Sequence, residues 1–172
     1  MSELVSLKQL ENEQAQQLFD LVAGNREQLS KFWWEKETHS SSDSERFIDS
    51  VRDAEEETGL PTRGIFAGDT LRGVTSVHSL DSAARSAALG YWIDSEWAGN
   101  GYASAAARQM ARLAFRTLDI DTLTISCRAD NRASRAVAEK AGFVCTGIDT
   151  SKPWKDSDDE CEVAHYQLVK TA

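Results

Sequence analysis

Two short runs hold residue types whose spacing could do chemistry. In EWAGNGYASAA, Gly99 and Gly101 bracket Asn100, and in RADNRASRAV, Asn131 stands three residues before Ser134. Asn-Gly alone is a tight-turn signal between strands. Here Ala103, Ala106, Ala107 and Met110 follow at helical spacing, which favours a strand-to-helix turn instead. Such a turn points unpaired N–H groups and the positive end of the helix at an anion, and glycines let a phosphate come close. A Walker loop is excluded by the missing Gly-Lys-Ser/Thr. Ser104 stands where a dinucleotide fingerprint wants its third glycine, although Asp119 and Asp121 fall in the range of its acid. Asn131 and Ser134 also fit an N-cap and its N3 partner. A cap would not prevent Ser134 from projecting off the first turn.

The elements that must position these groups follow from periodicity. Leu4 to Leu10 alternates as an edge strand, and Ala15, Leu18, Phe19 and Val22 form a helical stripe that ends near Gly24 and Asn25. A short second helix is predicted over Arg26 to Phe32. Ser42 and Glu45 have capping-box spacing ahead of Phe47, Ile48, Val51 and Ala54, and Gly59 and Pro61 end that helix. Thr62 to Ala67 and Thr70 to Leu80 read as a hairpin about Gly68-Asp69, followed by a strand from Ser86 to Asp94. A helix starts at Gly101, then come a strand through Leu123, Ile125 and Cys127 and a helix from Asn131 to Ala141 closed by Gly142. Phe143 to Thr150 and Glu162 to Val169 are expected to pair as strands. The strand-helix-strand piece from Ser86 to Arg128 requires a right-handed crossover, hence a parallel pair in an otherwise antiparallel sheet. That order is wrong for a Rossmann sheet.

At 172 residues the chain fits one domain, residues 1–172. Its formal charge of −9 argues against nucleic acid as a partner and is compatible with a cationic substrate. The three cysteines, Cys127, Cys145 and Cys161, have neither disulfide nor zinc spacing, so no metal is expected. Cys127 alternates with Leu123 and Ile125 as a core residue would. No long apolar run and no secretory layout opens the chain, and a cytoplasmic location without membrane association is expected.

The run from Leu89 to Phe143, LGYWIDSEWAGNGYASAAARQMARLAF and then ISCRADNRASRAVAEKAGF, resembles the GNAT superfamily of N-acetyltransferases, and within it the RimL-like group. The first 60 residues resemble it more loosely, through their helix pattern and Trp33-Trp34. The resemblance implies an α/β (α+β) fold: a mixed, mostly antiparallel twisted sheet with a splayed parallel strand pair, flanked by helices. It implies acetyl-CoA as cosubstrate. The family's pyrophosphate loop, Gln/Arg-x-x-Gly-x-Gly/Ala, falls on Ala98, Gly99, Asn100, Gly101, Tyr102 and Ala103. Ala98 departs from it, leaving the amides of Gly99 to Ala103 to anchor the diphosphate. The splayed strand that pairs with pantetheine falls on Tyr91, Trp92 and Ile93. Asn131 falls where the family holds the pantetheine arm, and Ser134 where it faces the sulfur.

Direct attack of an amine on the thioester is the implied route, with an N–H near Ile93 at the oxyanion and Ser134 at the thiolate. An α-amine, pKa about 7.7–8.0, asks little of a base, whereas lysine near 10.4 asks much. His78 is a candidate base and equally a packed or exposed strand residue. Glu35 and Glu37, after Trp33-Trp34, could relay through water or grip the cationic amine. Trp33, Trp34 and Trp154 fall near the expected acceptor groove. The leading acceptor is a protein N-terminus, a ribosomal protein's in the RimL-like group. Small amines (aminoglycoside, polyamine, aminoacyl antimetabolite) and a non-catalytic acyl-CoA-binding module are the alternatives. A homodimer is admitted by the resemblance alone.

Overall fold

The protein, seen in a computed structural model, is described over residues 4–30, 38–150 and 161–172. Its described strands are β1 (Ser6–Lys8), β2 (Thr62–Ala67), β3 (Thr70–Asp81), β4 (Ser86–Ile93), β5 (Thr122–Arg128), β6 (Val144–Asp149) and β7 (Val163–Val169). They form one seven-stranded sheet in the order β1-β2-β3-β4-β5-β7-β6. The β4–β5 pair is parallel and the other neighbours are antiparallel. The parallel pair is the one demanded by the crossover through the helix after Gly101, and β1 is the edge strand expected from its alternation.

Helices cover both faces because strand side chains alternate. Val74 and Trp92 pack with Leu18, Val22 and Ile48 of α1 (Ala15–Gly24) and α3 (Ser41–Thr58). Val77 and Leu89 point the other way, into a cluster with Ala107, Met110 and Ala114 of α4 (Tyr102–Thr117) and Ala138 of α5 (Arg132–Lys140). Ala106, Ala107 and Ala114 are fully buried. Their small side chains let α4 lie close against the sheet, so its first turn arrives beside the end of β4. Among the described residues, no helix is long and apolar enough to cross a membrane.

The start of α3 differs from the spacing-based expectation. Ser40, not Ser42, is the N-cap, and its hydroxyl accepts the Asp43 N–H at 3.3 Å. The Asp43 carboxylate reaches back to the His39 N–H at 2.8 Å, one residue before the cap, rather than to the cap's own N–H as the Ser42 and Glu45 pair was expected to do. The His39 N–H is the first cause holding the Asp43 carboxyl below its ordinary range, and the Ser40 hydroxyl adds to it. An aspartate reaches the start of the helix as well as a glutamate does, so the cap moves two residues upstream. The short helix α2 covers Arg26–Leu29, and the rest of its expected span runs into residues outside those described.

Candidate active site

β4 runs beside β3 as far as Ile93, but pairs with β5 only over Ser86–Ala88. The two parallel strands are joined at one end and open at the other. At the joined end the Arg85 carbonyl accepts the N–H groups of Asp121 and Thr122 at 2.7 and 3.2 Å. The Arg85 guanidinium meets Asp119 at 2.7 Å and Asp121 at 2.6 Å. Hydrogen bonding from Arg85 lowers the Asp121 pKa.

At the open end, main-chain direction is set by alternation. The Asp94 N–H donates to the Arg72 carbonyl at 2.6 Å, so Asp94, Trp92 and Gly90 turn their main-chain groups to β3. Tyr91 and Ile93 turn theirs into the splay. The Ile93 carbonyl there accepts from the Gln28 side chain of α2 at 3.1 Å. Of the three residues expected to offer main-chain groups to pantetheine, Tyr91 and Ile93 turn theirs into the splay, whereas Trp92, which also lines the cavity described below, turns its own to β3. Trp92 adds an indole buried against α1 and α3.

The loop after β4 is fixed by a polar cluster that periodicity does not reveal. The Asn25 amide, at the end of α1, donates to Asp94 at 3.3 Å and accepts the Ser95 N–H at 2.9 Å. Arg72 approaches Asp94 at 3.5 Å and lies 4.1 Å over the Trp97 ring, which contacts Tyr102 at 4.7 Å between centroids. Gly99 and Gly101 both take left-handed φ, +81° and +85°. Among the described residues, no atom beyond its chain neighbours comes within 4 Å of a Cβ built on Gly99. Within the protein, then, glycine is needed there for backbone conformation. Gly101 caps α4 with no side chain, and the Ala105 N–H is the first to find it, at 3.0 Å from the Gly101 carbonyl. The N–H groups of Tyr102, Ala103 and Ser104 therefore have no intrahelical acceptor. The Ala98 N–H is spent on the Ser95 carbonyl at 3.3 Å, and Asn100 turns its amide to the Ala98 carbonyl at 3.3 Å.

Splay, loop and the first turns of α4 and α5 surround a cavity of about 550 Å³. Tyr91, Ile93, Gly99, Gly101, Asn131 and Ser134 all line it, which brings together most of the residues singled out in the sequence. Asn131 is the N-cap of α5, its side-chain oxygen accepting the Ser134 N–H at 3.1 Å. The Tyr91 phenol reaches the Ser134 carbonyl at 2.9 Å and its hydroxyl at 3.0 Å. Burial is the main cause pushing the Tyr91 pKa up to about 12, against the Ser134 hydrogen bond. Burial also raises the Cys127 thiol, and a hydrogen bond with the Ser134 side chain opposes it. Cys127 is the core residue its alternation implied.

His78 is not among the cavity's lining residues. It pairs with Ala88, stands on the sheet face opposite Tyr91, is exposed, and meets the Ser79 hydroxyl at 2.9 Å. The serine and the histidine are thus not brought together. Glu35, Glu37, Trp33, Trp34 and Trp154 lie outside the described residues. Glu27 and Gln28 of α2, which sequence reasoning did not single out, also line the cavity. Gln28 sits in a four-residue helix, too short to carry a periodic signal.

A cleft of this size, with main-chain groups of β4 turned into it along one wall and a helix's unpaired N–H groups at the end, suits an elongated ligand ending in phosphates. Comparison with known proteins agrees. Residues 5–144 match the family described as "Acetyltransferase (GNAT) domain", and the chain belongs to this family of acetyltransferases, whose acyl donor is acetyl-CoA. It is 33% identical over 150 residues to the Bacillus subtilis (strain 168) protein named "Putative ribosomal N-acetyltransferase YdaF", covering 86% of this chain and 81% of that one. Two solved structures share the fold at a TM-score of 0.86 each. One is the microcin C7 self-immunity acetyltransferase MccE with acetyl-CoA and AMP, 22% identical over 98% of this chain and 94% of that chain. The other is RimL, the ribosomal L7/L12 alpha-N-protein acetyltransferase, with coenzyme A, 24% identical over 98% of this chain and 95% of that chain.

Proposed function

We propose that the chain moves the acetyl group of acetyl-CoA directly to the N-terminal α-amine of a protein, with a ribosomal protein as the acceptor. The splay between β4 and β5 carries the acyl-transfer half of this reading. The 33% identity to YdaF, named for a ribosomal substrate, supports the acceptor half.

The N–H groups of Tyr102, Ala103 and Ser104, at the positive end of α4, hold the diphosphate, with no cationic side chain at Ala98. The pantetheine arm adds to the open side of β4 through the main-chain groups of Tyr91 and the carbonyl of Ile93, which Gln28 must yield to it. Asn131 fixes the start of α5 and so the place of Ser134. The neutral amine attacks the thioester carbon. The N–H of Ile93 meets the developing oxyanion, and such a donor contributes about 2.7–4 kcal/mol in well-studied acyl-transfer sites. The carbon–sulfur bond then breaks toward a thiolate that accepts the Ser134 hydroxyl proton as a hydrogen bond. An α-amine is partly neutral at pH 7, so its attack needs little help from a base.

The test is acetyl-CoA-dependent thiol release measured on three acceptor sets: peptides with free N-termini, the same peptides N-terminally blocked with a lysine kept, and small polyamines and aminoglycosides. Free N-termini are expected to be preferred by about 100-fold over the blocked set. Their kcat/KM should rise with pH and level off near the amine pKa of about 7.7–8.0. A polyamine or aminoglycoside turned over better than every peptide would overturn the acceptor assignment.

A further inference from the structure

The phenol of Tyr91 is not used by the acyl-transfer steps above. Its oxygen stands 2.9 Å from the Ser134 carbonyl oxygen and 3.0 Å from Ser134 Oγ. A phenol has one proton for these two neighbours. If the proton goes to the carbonyl, the phenolic oxygen is left as an acceptor and draws the serine proton toward itself. If it goes to Oγ, the serine's own proton is released from the phenol and is shared between the Cys127 sulfur beside it and the cavity that Tyr91 and Ser134 line. The carbonyl does not depend on the phenol, because in a helix it also takes the N–H four residues on.

We infer that Tyr91 is a positioning residue for the acyl transfer, one that donates to Ser134 Oγ and thereby turns the serine proton toward the departing sulfur. The inference rests on the reading of Ser134 as the hydrogen-bond donor to the thiolate. As the carbon–sulfur electron pair moves to sulfur, the Tyr91 proton swings from the carbonyl to Oγ and the Ser134 proton swings to sulfur. Neither O–H bond breaks. The proton that finally resides on sulfur is the one lost by the amine nitrogen as it becomes an amide. Full transfer from the phenol is the wrong step: Tyr91 is pushed up to about 12 by burial, and a thiol ionises near 8.5. That gap disfavours proton transfer more than a thousandfold, roughly tenfold per pKa unit.

The experiment is a double-mutant cycle on kcat with acetyl-CoA binding measured in parallel. Tyr91→Phe, which removes only the oxygen, should lower kcat about tenfold and leave the acetyl-CoA Kd within about twofold. In the Ser134→Ala background it should cause no further loss. Equal losses in both backgrounds would mean that the phenol acts independently of Ser134 Oγ, through its bond to the Ser134 carbonyl, and would overturn the inference. So would no loss in either background. Ser134→Ala turning over like the wild type would remove the serine itself. A slow Ser134→Ala enzyme beside an unaffected Tyr91→Phe enzyme would overturn the tyrosine's role alone. If Tyr91→Phe does not fold, 3-fluorotyrosine at the same position keeps the shape and donates more strongly. It should raise kcat, and an unchanged kcat would overturn the inference.

Discussion

Gly73→Ala is expected to be the most damaging small substitution in the protein. A Cβ at this position of β3 would meet the Trp92 carbonyl oxygen at 2.1 Å and the Ile93 Cα at 2.9 Å. Both are backbone atoms of the neighbouring strand and cannot rotate aside. β3 and β4 would have to separate where β4 leaves β5, disturbing the Asp94 N–H bond to Arg72 as well. Overpacking typically costs about 1–3 kcal/mol and occasionally more. With backbone on both sides the upper end applies, so calorimetry should show Tm falling by roughly 6–12 °C in a chain of this size. A fall of under about 2 °C would mean that the two strands have slack there, against the close approach described above.

Gly101→Val is expected to act almost entirely on acetyl-CoA. Among the described residues a Cβ there has room, with Leu4 Cδ1 the nearest atom at 3.9 Å. The obstacle is φ of +85°, where a β-branched residue is a genuine outlier costing about 1–3 kcal/mol. The loop would relax by turning the N–H groups of Tyr102 to Ser104 away from their common focus. Titration calorimetry should find the acetyl-CoA Kd raised about tenfold or more, since about 1.4 kcal/mol is a factor of ten. Gly101→Asn, a side chain that tolerates the left-handed region, should keep most of the affinity. If valine and asparagine weakened binding equally, the loss would come from the side chain's bulk and not from the turn.

The turn and the helix start that line the cavity are legible in the sequence because their determinants are local. Gly99 and Gly101 mark a turn before an alanine stripe, and Asn131 with Ser134 marks the start of a helix; each pattern spans a few residues. The strand-helix-strand order forces the parallel pair, and its splay is implied by the resemblance alone. What could not be read depends on residues far apart in the chain. Asn25 looks like the end of a helix, and nothing near it says that its amide will hold Asp94 and Ser95. Gln28 bonds the main chain of Ile93, a contact between segments that share no periodicity. The resemblance groups Trp92 with Tyr91 and Ile93. Strand alternation splits them, giving the middle residue's main chain to β3. The Tyr91 phenol meets Ser134, 43 residues away in the chain, a contact no local pattern encodes. The cap of α3 moved from Ser42 to Ser40 because Asp43 competes for the role assigned to Glu45.

The most direct test of the central claim is amide hydrogen exchange, read residue by residue by NMR, with and without saturating acetyl-CoA. The account predicts exchange slowed at least about tenfold at Tyr91 and Ile93, on the open side of β4, and at Tyr102, Ala103 and Ser104 at the start of α4. Unchanged exchange at those amides would contradict it, most plainly if protection appeared instead in the separate groove between Arg112, Phe115 and Leu168.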